Sequence, residues 1–374
     1  MTLRVAIAGA GMIAAVHADA ARRAGAEIVG LSASTPDRAK AAAERLGIAH
    51  AFSSSEELAV SADVDVVHIC TPNALHSPLA RLALDAGKHV VCEKPLALDA
   101  ADADELVRLA AASGLVAAVP FVYRYHPMAA EARRRVRSGG IGDVRLIHGH
   151  YLQDWLSTPA DNNWRVDPVA GGPSRAFADI GSHWCDLVEW VSGHQIHELT
   201  ASAQTVIGAR SAGSAATFTA AAEDEGPLTP VSTEDAVQVV FRTVQGAGGS
   251  VVVSQVSPGR KNRMWFEIDG AQNSVSFDQE NPETLLLGGR ERTEILHRDT
   301  LSAEAARHNS VPAGHPLGYR DCFAAFVSDV YEAVRAPEPG AAPRYPTFAD
   351  AARTAHITDA VLRSAQSRTW IEVS

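Results

Sequence analysis

Leu3-Arg4-Val5-Ala6-Ile7-Ala8-Gly9-Ala10-Gly11-Met12-Ile13-Ala14 decides the fold. Leu3–Ala8 reads as a short apolar strand that runs into a G-x-G-x-x-A pattern and then an Ala-rich helix to about Ala24. Gly9 permits the tight turn, Gly11 lets the backbone approach a pyrophosphate, and the small Ala14 lets helix pack on strand. The pyrophosphate would rest on amides at the helix N-terminus, around Met12 and Ile13. Such a pattern means little alone, but a strand precedes it, a helix follows, and a second strand comes next at Glu27–Leu31. A dinucleotide-binding domain is expected.

The second strand ends in Ser32-Ala33-Ser34-Thr35, with no acidic residue before Asp37. An enzyme specific for NAD usually places Asp or Glu there to hold the ribose 2′-hydroxyl. Without that carboxylate a 2′-phosphate meets no repulsion, and Ser34, Thr35 and Arg38 could bind one. The expected cofactor is NAD(P), leaning to NADP. The plainer alternative is that Ser34 caps the next helix and Arg38 lies on its surface.

Downstream, helix Pro36–Leu46 stopped by Gly47, strand Val64–Cys70, helix Pro78–Ala86, strand Val90–Cys92, helix Ala100–Ser113 capped by Asp99, and strand Leu115–Val119 alternate with short connections. That alternation implies a parallel sheet with right-handed crossovers, an α/β domain covering about residues 1–122. The fourth strand ends in Glu93-Lys94-Pro95. Proline keeps Lys94 out of the helical region, and the carboxyl ends of such strands form the ligand crevice. Lys94 could therefore donate to a substrate oxygen there, or be an ordinary surface lysine. From 123 to 374 the pattern changes to several strands between His197 and Arg298, with helices at Ala129–Arg137, Ala178–Val191, Tyr319–Val334 and Phe348–Ser367. This is an α+β domain with one open, mostly antiparallel sheet. Ala222–Pro230, with Glu223, Asp224 and Glu225, reads as an acidic loop.

At 374 residues with 46% hydrophobic and 21% charged content, the chain has two-domain length and globular composition. A formal net charge of -11 argues against nucleic acid or an anionic membrane as partner. Cys70, Cys92, Cys185 and Cys322 form no Cys-x-x-Cys pair and read as buried thiols of a reducing, cytoplasmic setting. No apolar run approaches ~20 residues, and no signal peptide or membrane span is expected.

The chemistry-bearing candidates lie further on. Asp179 and His183 are four apart, on one face of the expected helix. A carboxylate beside a histidine fixes its tautomer and stabilises the imidazolium, as a general base requires. The same pair on a helix surface would be worth only a few tenths of a kcal/mol. The preceding loop carries Gln153, Asp154, Trp155, Asn162, Asn163, Trp164 and Arg165, a mixture of amide, carboxylate, guanidinium and indole suited to sugar hydroxyls and ring faces. Asp179, His183 and Cys185 have no recognised metal-ligand spacing, so no metal is expected.

Together, G-x-G-x-x-A, Thr71-Pro72-Asn73, Glu93-Lys94-Pro95 and Asp179-x3-His183 resemble the Gfo/Idh/MocA oxidoreductases over nearly the whole chain. The resemblance implies a Rossmann domain joined to an α+β domain whose open sheet commonly forms an oligomer interface, hence a homodimer or homotetramer. It implies that Lys94, Asp179 and His183 are the catalytic set, and that Gly9, Gly11, Ala14, Thr71, Asn73, His76 and Glu93 lie on the cofactor side. Tyr123-Arg124-Tyr125 stands where family counterparts vary and often contact substrate. Tyr151–Trp155 and Asn163–Arg165 are similar to segments of members acting on pyranoses. The implied activity is NAD(P)-dependent oxidation of a secondary hydroxyl of a pyranose-type sugar, glycoside or inositol. A glycosidase using tightly bound NAD transiently and a non-catalytic sensor are the alternatives.

Overall fold

The computed structural model describes residues 2–211, 227–299, 301–337 and 340–374. The acidic residues Glu223, Asp224 and Glu225, read as part of a loop, lie outside them. The chain divides into two compact units, Met1–Val122 with Arg320–Ala355, and Tyr123–Tyr319 with His356–Ser374. The sequence reading placed everything after 122 in one second domain. Arg320–Ala355 belongs instead with the first unit, a long-range return that helical periodicity does not encode.

In the first unit, strands β1 (Arg4–Ala8), β2 (Glu27–Ser32), β3 (Val66–Ile69), β4 (His89–Cys92) and β5 (Ala117–Ala118) form a parallel sheet in the order β2-β1-β3-β4-β5. Helices Met12–Arg23, Pro36–Leu46, Ser55–Val60, His76–Asp85 and Ala100–Ser113 connect them. Their ends follow local chemistry. Thr35, rather than Ser34, caps Pro36–Leu46 by accepting from the Arg38 amide, and left-handed Gly47 ends it. Asp99 and Gly114 do the same for Ala100–Ser113. Apolar residues are buried on both sheet faces: Val67 and Val90 pack into one cluster, Ile7 and Leu31 into another. A parallel sheet covered on both sides requires this. His68, fully buried in the middle of β3, breaks the apolar pattern.

The second unit is built on a nine-stranded mixed sheet. Its strands are β6 (Val144–Leu152), β7 (Ile196–Gln204), β10 (Ala236–Thr243), β11 (Gly248–Ser254), β12 (Arg263–Gly270), β13 (Ser274–Asp278), β14 (Thr284–Gly288), β15 (Thr293–His297) and β16 (Ile371–Glu372), while β8 (Ala209–Ser211) and β9 (Leu228–Pro230) pair separately. The order is β15-β14-β13-β12-β6-β11-β10-β7-β16, antiparallel except where β6 meets β11. Sequence reading missed β8, β9, β15 and β16. All are short, and β15 is mostly exposed, so no apolar alternation marks it.

Period-two alternation divides the sheet's faces. Ile147, Tyr151, Val251, Val253, Met264 and Phe266 turn inward against Met128, Trp184, Leu187 and Val188 of helices Pro127–Arg137 and Ser182–Ser192. Trp184 is fully buried and donates from Nε1 to the Trp265 carbonyl at 2.9 Å. Gly149 makes room for it, since a Cβ there would lie 2.7 Å from that nitrogen. His148, His150, Val240, Val252, Trp265 and Glu267 occupy the opposite face by the same register. All four cysteines are free and buried.

Candidate active site

The carboxyl end of the first unit's sheet carries one group of candidates. Gly9 has φ 120°, and a Cβ there would come within 2.4 Å of the Cys70 carbonyl, so only glycine fits the turn. Arg45, which sequence reading missed, donates to the Ala10 carbonyl at 3.2 Å and holds the glycine loop from outside. Ala14 is fully buried, giving the close helix-to-sheet packing its position predicted. Gly11 caps helix Met12–Arg23 with no side-chain oxygen on the first-turn amides, and a Cβ on Gly11 would meet nothing within 4 Å. Beside it Met12 is half exposed. Thr71 Oγ, at the end of β3, is buried without a hydrogen-bond partner among the described residues. Open space over uncapped helix amides, with a buried hydroxyl nearby, fits a dinucleotide pyrophosphate. Gly11→Val should therefore keep its melting temperature yet lose at least ~10-fold in nicotinamide nucleotide affinity, about 1.4 kcal/mol, in a fluorescence titration.

At the end of β2, Arg38 donates to Ser34 Oγ at 3.1 Å, and Ser34, Thr35 and Arg38 are all exposed. At the end of β3, buried Asn73 opens a 3-10 turn, Asn73–Leu75. The His76 ring spans two carbonyls, Pro95 O at 2.7 Å from Nδ1 and Thr71 O at 2.9 Å from Nε2. Burial holds this imidazole below its ordinary pKa against the pull of those carbonyls, so the neutral ring donates to one and lies against the other. His76 thus braces the loop behind Lys94, rather than offering a free ring nitrogen to the cofactor. The Lys94–Pro95 bond is cis. Glu93 is buried, with Oε1 3.0 Å from His17 Nε2, and its Oε2 accepts from the Lys94 amide at 3.3 Å. Burial, the largest influence, favours the neutral acid. The hydrogen bond from His17, with the nearby charge of Lys94, outweighs it and holds the carboxyl below its usual range.

The second unit carries the other group. Ser174 Oγ and the amides of Arg175 and Phe177 donate to the buried Glu234 carboxylate and anchor the segment that leads into the helix. That segment opens as a π-helical turn, Phe177–Gly181, before α-helix Ser182–Ser192. Such turns recur at functional sites because they re-aim side chains. Asp179 lies within it. Its Oδ2 accepts from Gln255 Nε2 at 2.8 Å, and its Oδ1 is 3.4 Å from Arg165 Nε. His183, buried one turn on, meets the Tyr123 ring in a T-shaped contact, with centroids 5.2 Å apart at 78°.

A closed polar ring fixes Tyr123. Asn262 Nδ2 donates to the Tyr123 oxygen (3.2 Å), the Tyr123 and Tyr151 hydroxyls are 2.7 Å apart, and Tyr151 donates to Asn262 Oδ1 (2.8 Å). Gln153 Nε2 also donates to Asn262 Oδ1 (2.9 Å), and Trp155 Nε1 donates to Gln153 Oε1 (2.8 Å). Burial pushes the Tyr151 phenol well up, so it stays a donor. Asn262 and Gln255 were not among the sequence candidates. Each is a single polar residue more than 70 positions from its partner, and no local pattern marks it.

Arg165 lies over the Trp164 ring at 4.5 Å and near the Trp155 ring at 5.9 Å, so three candidates gather beside Asp179. Two others are engaged elsewhere. Arg124 makes a two-pronged ion pair with buried Asp186, Nε to Oδ2 at 2.9 Å. Asp154 takes Lys261 Nζ at 2.7 Å and the Gly259 amide at 3.0 Å. Among the described residues, one cluster has metal-like spacing: ligand atoms of His148, Glu267 and Asp269 lie within 4.8 Å of one another on the outer sheet face. Strand pairing gathers it, so sequence spacing gave no hint. Partly exposed carboxylates also meet this way without a cation.

Residues 3–121 match the model of the oxidoreductase family, NAD-binding Rossmann fold, and residues 129–276 match the GFO/IDH/MocA C-terminal domain. The two domains, with a nucleotide-shaped turn in one and a buried carboxylate–histidine segment in the other, define an NAD-binding oxidoreductase, and the chain belongs to the Gfo/Idh/MocA family. It is 30% identical over 358 residues to levoglucosan dehydrogenase of Pseudarthrobacter phenanthrenivorans, covering 92% of this chain and 88% of that protein. Among solved structures, levoglucosan dehydrogenase in complex with NADH and levoglucosan aligns over 100% of both chains with TM-score 0.89 and 27% identity. An inositol dehydrogenase homolog complexed with NAD+ from Azotobacter vinelandii aligns over 100% of this chain and 97% of that one, with TM-score 0.88 and 26% identity. No helix among the described residues is long and apolar enough to cross a membrane.

Proposed function

We propose that this protein oxidises a secondary hydroxyl of a pyranose-type sugar, glycoside or inositol with NAD(P), using Lys94, Asp179 and His183. The observation that carries the reading is the buried His183 ring set against Tyr123, one turn from an Asp179 held by Gln255 and Arg165. Indole faces and fixed amides around it, from Trp155, Trp164, Gln153 and Asn262, suit a polyhydroxylated ring. The names of relatives, a levoglucosan dehydrogenase and an inositol dehydrogenase homolog, point the same way.

His183 takes the hydroxyl proton as the carbon–oxygen double bond forms. Asp179 stabilises the resulting imidazolium, while Gln255 and Arg165 keep the carboxylate in place. Lys94 donates to the same oxygen and stabilises its developing charge. When bound, the nicotinamide supplies the acceptor for the hydride leaving carbon. Gly9, Gly11 and Ala14 shape the pyrophosphate turn, and Thr71 and Asn73 line the nucleotide side.

The preference for NADP rests on Ser34, Thr35 and Arg38, all exposed at a strand end that lacks a carboxylate. Arg38→Ala should lower kcat/KM for NADP about tenfold, near the ~1.5 kcal/mol lower end for hydrogen bonds to a charged group, and leave NAD nearly unchanged. The uncovered sheet face, where Leu146, Val240 and Val252 are each at least two-fifths exposed, would pair with a second copy, giving a homodimer or homotetramer by light scattering. The deciding experiment is a spectrophotometric panel of monosaccharides, anhydrosugars, glycosides and inositols with each nucleotide. Stoichiometric nucleotide reduction supports a dehydrogenase. Glycoside cleavage without net reduction would favour a glycosidase, and binding without turnover a sensor.

A further inference from the structure

Four buried side chains in the first unit form a chain that the hydride-transfer reading does not use. The Tyr331 hydroxyl lies 2.8 Å from His68 Nε2, His68 Nδ1 lies 2.8 Å from His17 Nδ1, and His17 Nε2 lies 3.0 Å from Glu93 Oε1. They come from four elements: helix Tyr319–Arg335, β3, helix Met12–Arg23 and the end of β4. His17, His68 and Tyr331 are each fully buried. Phe323 closes the side, its ring centroid 4.6 Å from that of His17 at 62°.

The direction of the chain follows from proton counting. Glu93 is held ionised, so it only accepts, and His17 Nε2 must donate to it. His17 Nδ1 then accepts from His68 Nδ1–H, because a proton on that nitrogen would turn the next bond around and leave the buried Tyr331 hydroxyl hydrogen without an acceptor. Burial holds His68 well below its ordinary pKa, so its ring carries a single proton. Its Nε2 is therefore bare and accepts from the Tyr331 hydroxyl, which burial keeps protonated. Each donor meets one acceptor, and no alternative filling leaves all four satisfied with Glu93 charged. Aligned bonds of this kind polarise one another in a dry interior. The other Glu93 oxygen accepts from the Lys94 amide.

We propose that Tyr331, His68 and His17 form a one-directional hydrogen-bond chain that fixes the Glu93 carboxylate against the Lys94 backbone, making the three of them positioning residues for that lysine. The part concerning Lys94 rests on the sugar-dehydrogenase reading; the direction of the chain does not. The return of Arg320–Ala355 to this unit thereby gains a chemical role, because it brings Tyr331 to the far end of the chain.

The test has two arms. Nitrogen-15 NMR of the wild-type protein should show His17 as the Nε2–H tautomer and His68 as the Nδ1–H tautomer. Tyr331→Phe removes the first donor and keeps the ring. It should reduce kcat for sugar oxidation ~3- to 10-fold with the sugar KM unchanged, and scramble the His68 tautomer. A purely structural hydroxyl would change stability without moving tautomers or splitting kcat from KM. The opposite tautomers, or a Tyr331→Phe enzyme with wild-type kcat and wild-type tautomers, would overturn the proposal. A wild-type protein that shows the expected tautomers but oxidises no sugar would sink the dehydrogenase reading alone and uphold the chain's direction.

Discussion

His183→Ala is expected to cut the rate of sugar oxidation at least ~100-fold, the low end for loss of a general base, and Lys94→Ala to cut it as much. Two different deficits lie behind this shared figure. Without His183 the hydroxyl proton has no acceptor, so the loss should shrink at high pH, where hydroxide can take it. Without Lys94 the developing oxyanion loses its donor, and higher pH should not restore the rate. Neither substitution should unfold the chain. His183 packs in a T-shaped contact with Tyr123, which its hydrogen bonds with Tyr151 and Asn262 keep in place. Lys94 follows a strand end already held by Glu93 and His76. Circular dichroism and melting curves near wild type, beside a turnover defect in steady-state kinetics, are the expected pattern. A purified Lys94→Ala enzyme with near-normal turnover would end the mechanism proposed for this residue.

The second large effect is on stability. Asp235→Ala should cost ~3–5 kcal/mol, read as a lowered denaturant midpoint, because it strands two buried guanidinium groups. Asp235, Arg175 and Arg210 are all fully buried. Asp235 pairs with Arg175 through a short contact, accepts from Arg210 Nη2 at 2.8 Å, and takes the Ile207 amide at 2.8 Å. Arg210 also donates to the carbonyls of Leu156, Thr158 and Asp161. This cluster therefore pins the loop that follows Trp155 to the sheet, and its loss should raise the sugar KM as well. A pH dependence follows. Burial, the largest influence on Asp235, favours the neutral acid, but Arg175, the Ile207 amide and Arg210 outweigh it and hold the carboxyl below its usual range. Its contribution is complete above the unfolded-state value of about 3.9 and is lost as pH falls through the lower folded value. Wild type should thus lose stability in strong acid by a component that Asp235→Ala lacks.

Local chemistry made much of the fold legible. Thr35 or Asp99 before a helix and Gly47 or Gly114 after it are start and stop signals that depend on a few neighbouring residues, and helices Pro36–Leu46 and Ala100–Ser113 have the bounds read from sequence. The glycine turn was legible for the same reason: Gly9 and Ala14 each answer a local steric demand. What sequence could not give depends on partners far along the chain. Whether Arg124 faces a substrate or Asp186 is decided by a helix some sixty positions away. Gln255 reaches Asp179 only because β11 ends beside the π-helical turn, and Tyr331 reaches His68 across 263 positions. Paired side chains of this kind leave no periodicity to read.

Hydride transfer from a sugar hydroxyl to a nicotinamide nucleotide is measured most directly by the absorbance of reduced nicotinamide when the purified protein meets the sugar panel with NAD or NADP. At least one pyranose, anhydrosugar, glycoside or inositol should yield one reduced nucleotide per ketone formed, with the signal lost in His183→Ala. A panel in which no member reduces either nucleotide, or in which a glycoside is cleaved with no net reduction, would contradict it.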